Sequence, residues 1–212
     1  MALTNYTELL ASVESVHHRS TAFTADAITL AEKRINNRLF SRESEAEIQL
    51  TATQGSRYIA LPSQFLSTLA LWLTTYGART EIIYVTPESL PVNPATQGQP
   101  SYYTIDGSNI AFEYECNEAH TFDFRYRKGY NLASTSTNQV LTNYPAVYLY
   151  GALREVSLYA QDNDNANKYE SLFQQALDEC ASVEFANKSQ AVLTVEAPLM
   201  APARINILVG DM

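Results

Sequence analysis

Cysteine, glycine and positive charge are all scarce in this chain, and each shortage removes a class of protein. The two cysteines, Cys116 and Cys180, make no disulfide framework and no thiolate metal set. One falls at a predicted strand end and the other on the apolar stripe of a predicted helix, so both read as buried thiols of a reducing compartment. Seven glycines are few for loops that must approach a ligand closely. No phosphate-cradling glycine loop, dinucleotide fingerprint or Gly-x-Ser-x-Gly elbow occurs. Lys and Arg number 14 against 23 Asp and Glu, a formal net charge of -9. That sign opposes general nucleic-acid binding, which depends on cations releasing counterions from phosphate. It suits a channel through which DNA passes without sticking. No apolar run approaches the roughly 20 residues of a membrane span. The opening Met-Ala-Leu-Thr-Asn-Tyr lacks the basic and apolar regions of a signal peptide, so synthesis is expected in a cytoplasm.

What is present is an ordered globular composition, 46% hydrophobic and 17% charged. Tyrosine is prominent, with 14 residues against 8 phenylalanines. Its amphipathic ring suits either half-buried contact surfaces or a β-rich core.

Periodicity divides the chain into helices, strands, helices and a tail. Residues 3–18 place Tyr6, Leu9, Leu10, Val13 and Val16 on one helical face. Thr24 is the expected cap of a second helix, with Asp26 in its first turn and Ile28, Ala31, Ile35 and Leu39 as its stripe. Lys33, Arg34, Arg38 and Arg42 form a basic patch toward its end. They serve either the helix dipole or an acidic partner. Strands are expected over 46–52, 56–61 and 79–85, with an apolar segment at 66–74, a brief helical turn at Thr86-Pro87-Glu88, and a loop over 91–100. The turn Asp106-Gly107-Ser108-Asn109 predicts a hairpin. Residues 121–127 alternate strictly: Phe122, Phe124 and Tyr126 face one side, and Asp123, Arg125 and Arg127 the other. After a polar loop at 129–140, Thr142 or Asn143 caps a helix over 143–161 that is apolar around most of its circumference, with a narrow polar strip of Arg154, Ser157 and Gln161. A second, amphipathic helix over 165–185 follows a short connection in which Asp162 or Asp164 serves as N-cap. Two β-prone pieces, 191–195 and 205–209, lie in the tail. A strand there either adds to the parent sheet or docks on a partner.

Chemical motifs fail on spacing. His17 and His18 are adjacent on a helix, so their rings diverge by about 100°. His120 is remote in sequence. Asp162-x-Asp164 opens like a calcium loop, but Ala166, Asn167 and Phe173 stand where that loop requires an oxygen ligand, Gly and Glu. Glu113, Glu115 and Asp123 fall on neighbouring strands and would suit glycoside hydrolysis if paired. Alternating acids on a solvated sheet face are the plainer reading. No catalytic residue, metal ligand or cofactor is expected.

The segment Leu141-Thr-Asn-Tyr-Pro-Ala-Val-Tyr-Leu-Tyr-Gly-Ala-Leu-Arg-Glu, running on through Asp162 and Asp164 to Tyr169 and Leu177, resembles the head-to-tail adaptor proteins of tailed bacteriophages. Leu30-Ala-Glu-Lys-Arg-Ile-Asn, Ile59-Ala-Leu-Pro-Ser-Gln-Phe-Leu and Tyr102-Tyr-Thr-Ile-Asp-Gly-Ser-Asn-Ile add to the likeness, which spans about residues 5–180. Val16-His17-His18-Arg19 departs from it, since such proteins often carry a Trp in the first helix. The resemblance implies an α+β fold: a helical bundle of two N-terminal and two C-terminal helices (residues 1–44 and 141–186), a central antiparallel β-rich insertion (45–140), and an extended C-terminal tail (187–212). It implies a non-enzymatic virion protein in the neck, made in the bacterial host. Its copies, twelve in number, would form a ring between the portal and the tail or nozzle proteins, with double-stranded DNA passing through the lumen and no membrane involved. On that reading Tyr148, Tyr150, Arg154, Leu158 and Tyr159 are candidate subunit-interface residues. Ile205, Ile207 and Val209 are candidate portal or partner contacts. A carbohydrate- or receptor-binding tail component and a polysaccharide hydrolase stand as alternatives.

Overall fold

In a computed structural model the described residues are 3–18, 20–75, 77–92 and 96–189, with side chains described through residue 184. The tail expectations, including Ile205, Ile207 and Val209, lie outside them.

Helix α1 (Tyr6–His17) is capped by Asn5, whose side chain accepts the Glu8 N–H. It buries Leu9 and Val13 but leaves Val16 48% exposed, so the expected stripe stops one turn early. Helix α2 (Thr21–Arg38) begins three residues before the expected cap. Ser20 occupies the cap position, and Thr24 lies inside the helix, where its hydroxyl donates to the Ser20 carbonyl. Ala27, Ile28, Ala31, Ile35 and Leu39 form the buried stripe.

The chain then enters the strands β1 (Glu45–Ala52), β2 (Tyr58–Ala60), β3 (Phe65–Leu73) and β4 (Thr80–Tyr84), followed by a 3-10 turn at Pro87–Ser89. Five more strands follow: β5 (Gln97–Gly98), β6 (Tyr102–Asp106), β7 (Asn109–Phe112), β8 (Glu115–Cys116) and β9 (His120–Lys128). Seven strands form one sheet in the order β1-β9-β3-β4-β6-β7-β2, while β5 and β8 pair separately. The main sheet is antiparallel except for β4 beside β6. The β6–β7 hairpin turns through Gly107 at φ +57, a conformation glycine adopts without strain. Strand β3 carries two register shifts against β9, which make Leu66 and Leu69 extra residues and leave them exposed.

The polar stretch after β9 is not a loop. It forms two short helices, α3 (Leu132–Thr135) and α4 (Gln139–Asn143), capped by Asn131 and Asn138. Helix α5 (Pro145–Tyr159) starts with Pro at its first position after Tyr144, not after a Thr142 or Asn143 cap. Helix α6 (Asn163–Ser189) is entered through Asp162, whose carboxylate accepts the Asn165 N–H.

Two apolar cores result. One joins α1 and α2 to α4, α5 and α6 through Leu9, Ile28, Leu141, Val147, Val156, Phe173 and their neighbours. Leu132 and Val140 belong to it, although both were expected in the β-rich insertion. The other fills the sheet with Leu71, Tyr103, Ile110, Phe112, Phe122 and Phe124.

Candidate assembly surfaces

The helices and the sheet are joined by hydrogen bonds that run in both directions. On α2, Glu32 and Asn36 stand four residues apart and so share a face. The Asn36 side chain receives the Tyr130 N–H at 2.7 Å and donates to the Tyr130 carbonyl at 3.1 Å. Glu32 is buried, and its Oε1 accepts the Leu132 N–H at 2.9 Å and the Tyr148 hydroxyl at 3.1 Å. Asn138 donates to that hydroxyl in turn. Burial outweighs these bonds and holds the Glu32 carboxyl above its ordinary range. In return Arg127, from β9, donates to the Leu39 carbonyl at 2.7 Å and to the Asn36 carbonyl. Its guanidinium lies 3.8 Å from the Phe40 ring centroid. Strict alternation puts Arg127 on the solvated face; the structure buries it because the end of α2 offers unpaired carbonyls there.

A second network ties α2 to α5 and α6. Arg34 contacts Glu155 at 3.3 Å and Glu170 at 2.8 Å, and Arg154 contacts the same two carboxylates at 2.6 and 2.9 Å. Lys33, Arg38 and Arg42 are exposed, whereas Arg34 is half-buried among these acids.

The broadly apolar circumference of α5 is covered largely by its own chain. Helices α1, α2, α4 and α6 all touch α5, and Val147, Tyr148, Ala152, Leu153 and Val156 are buried. Tyr148 is fully buried and offers nothing to a neighbour; Ser157, placed on the polar strip, is fully buried too. Tyr150 and Arg154 are half-buried. Only the last turn opens outward, with Leu158 at 40% and Tyr159 at 68% exposure. The Tyr159 ring leans on Phe23 of α2 at 4.3 Å between centroids. Leu30, two turns along α2, is 49% exposed.

The residues with chemical potential are held in structural roles. Glu113 is buried and receives the Ser101 and Tyr102 N–H groups at 2.7 Å each. Asp123 pairs with Arg79 on the outer face of the sheet, while Glu115 is half-buried in β8. His120 is buried against Asn117 and Thr75. His17 ends α1 and lies beside Tyr169; His18 follows in a left-handed turn. A groove of about 390 Å³ runs between α2 and the segment after β9, and among the described residues Glu32 is the only carboxylate lining it.

Among the described residues, these acidic and histidine side chains are thus engaged within the fold or lie apart from one another. Residues 4–196 match the SU10 adaptor protein family. The chain is a phage adaptor protein of that family. The match covers α1 through α6 and extends past Ser189 into the tail. No curated protein matches it. Membership makes this adaptor a structural phage protein, in line with the likeness carried by residues 141–155.

Proposed function

We propose that the adaptor forms a ring at the head-to-tail junction, its copies meeting through the open end of α5. The observation that carries this reading is the exposed pair Leu158 and Tyr159 in the last turn of α5, with Phe23 of α2 against the Tyr159 ring. These are large apolar side chains at one end of the helical core, next to ion pairs that already satisfy the neighbouring charges. Repeated head-to-tail contacts between identical copies close into a ring when the rotation per step divides a full turn. Twelve copies is the number that the resemblance implies. Tyr159 is the expected anchor, since a tyrosine at the centre of such a contact contributes about 2 kcal/mol or more.

The ring would sit below the portal and continue its channel, and the charge of -9 keeps DNA from binding the wall. The exposed row Ile83 and Tyr102, neighbours across β4 and β6, would face the tail or nozzle proteins. The test is assembly with purified portal. Wild-type adaptor yields a complex of fixed stoichiometry, and the Leu158→Asp/Tyr159→Asp double variant folds but does not join it. A double variant that assembles normally would move the ring contact elsewhere.

A further inference from the structure

The outer edge of β1 is long; β2 lies beside part of it, and the only charged residues of β1 are two glutamates. Its eight residues pair with β9 without a register shift. No strand among the described residues pairs on its other side. Exposed edges are normally short, bulged, or protected by Lys or Pro. The opposite edge, β2, has three residues; β1 has neither Lys, Pro nor a bulge. The two carboxylates of β1 are drawn across the outer face of the sheet, Glu45 to Arg125 and Glu47 to Arg79. The inner face is unfinished at this edge as well. Ile48 stands opposite the fully buried Phe124, yet is itself 38% exposed.

We infer that residues 205–209 of the same chain add to this edge as an eighth strand of the main sheet. Helix α6 delivers the tail to the right place. The Glu184 carboxylate accepts the N–H of Arg42 at 3.3 Å, and Arg42 lies three residues before β1. Residues 190–204 can extend to roughly 50 Å, against about 27 Å for β1. That length brings 205–209 to either end of the strand. In Ile205-Asn-Ile-Leu-Val an extended chain puts Ile205, Ile207 and Val209 on one face, where they would cover Ile48, and Asn206 and Leu208 on the other. Arg204, the only Lys or Arg beyond Lys188, precedes them. A tether of this length gives an effective concentration near the millimolar range, which favours the chain's own tail over that of a second copy.

The test uses the full chain at a concentration where light scattering shows a monomer. A photo-crosslinking amino acid at position 206 should join to residues 45–50 within the monomer mass. Backbone deuterium exchange over 45–50 should speed up at least tenfold in the full-length Ile205→Asp/Ile207→Asp variant, with β3 and β9 unchanged. A crosslink at dimer mass would assign the edge to a second copy and overturn the inference. A crosslink that misses β1, or exchange that does not respond to the two Asp substitutions, would overturn it as well.

Discussion

Arg127, on the last strand of the sheet, donates to the main-chain oxygen of Leu39, at the end of α2, at 2.7 Å. The bond crosses 88 residues of sequence. It satisfies a carbonyl left over by the helix with a cation that complements the helix dipole. Replacing Arg127 with Met should cost about 2–3 kcal/mol in chemical denaturation, the range for charged hydrogen bonds. Lys should recover less than half, because it lacks the planar fork that reaches both carbonyls. A Met variant within about 0.5 kcal/mol of wild type would show that the contact is incidental.

Glu32 gives the fold a pH dependence of known sign. Burial raises its carboxyl pKa in the folded chain. Between the unfolded pKa, about 4.3, and the raised folded value, the folded chain binds more protons than the unfolded one. Stability from this group is therefore present at acid pH and falls as pH rises through that window. Glu32→Gln should flatten that part of the stability–pH curve, while its side-chain carbonyl still accepts from Leu132 and Tyr148. Parallel curves for the two proteins would contradict the assignment.

Gly151 marks the closest approach of three helices. A Cβ there would stand 3.0 Å from the Ala31 Cβ and 3.2 Å from the Phe173 ring. Alanine gains about 1 kcal/mol of helix propensity, but overpacking costs about 1–3 kcal/mol. Gly151→Ala should lower stability by about 1 kcal/mol, measured by thermal or urea unfolding. Stabilisation would mean that α2 and α6 give way without penalty.

Both thiols are buried and reduced in reactivity. Burial pushes Cys116 up to about 11 and Cys180 up to about 12, with nearby carboxylates adding to each. Neither should react with a disulfide reagent at pH 8 in the folded protein, and both should react once it is unfolded. Prompt labelling of the native protein would show that one of the two cores opens.

The features legible in the sequence were those set by near neighbours. The alternation of Phe122, Phe124 and Tyr126, the glycine turn at Gly107 and the stripe of Ile28, Ala31, Ile35 and Leu39 each declare themselves within a dozen residues. What stayed hidden depends on distant partners. Arg127 is buried because Leu39 and Asn36 need a donor. Tyr148 is enclosed because Glu32 and Asn138 meet its hydroxyl. The segment 129–143 looks polar because its asparagines cap helices that bury Leu132, Val140 and Leu141. Of the candidate interface, hydrophobicity alone did not separate the enclosed middle of α5 from its open last turn. Burial does, leaving Leu158 and Tyr159.

The most direct test of the account is the mass of the complex formed when purified portal is mixed with this adaptor, read by native mass spectrometry. A single species carrying a full ring of adaptor copies, lost when Leu158 and Tyr159 are both changed to Asp, is the predicted result. Portal and folded adaptor that remain separate, or bind without a fixed number of copies, would contradict it.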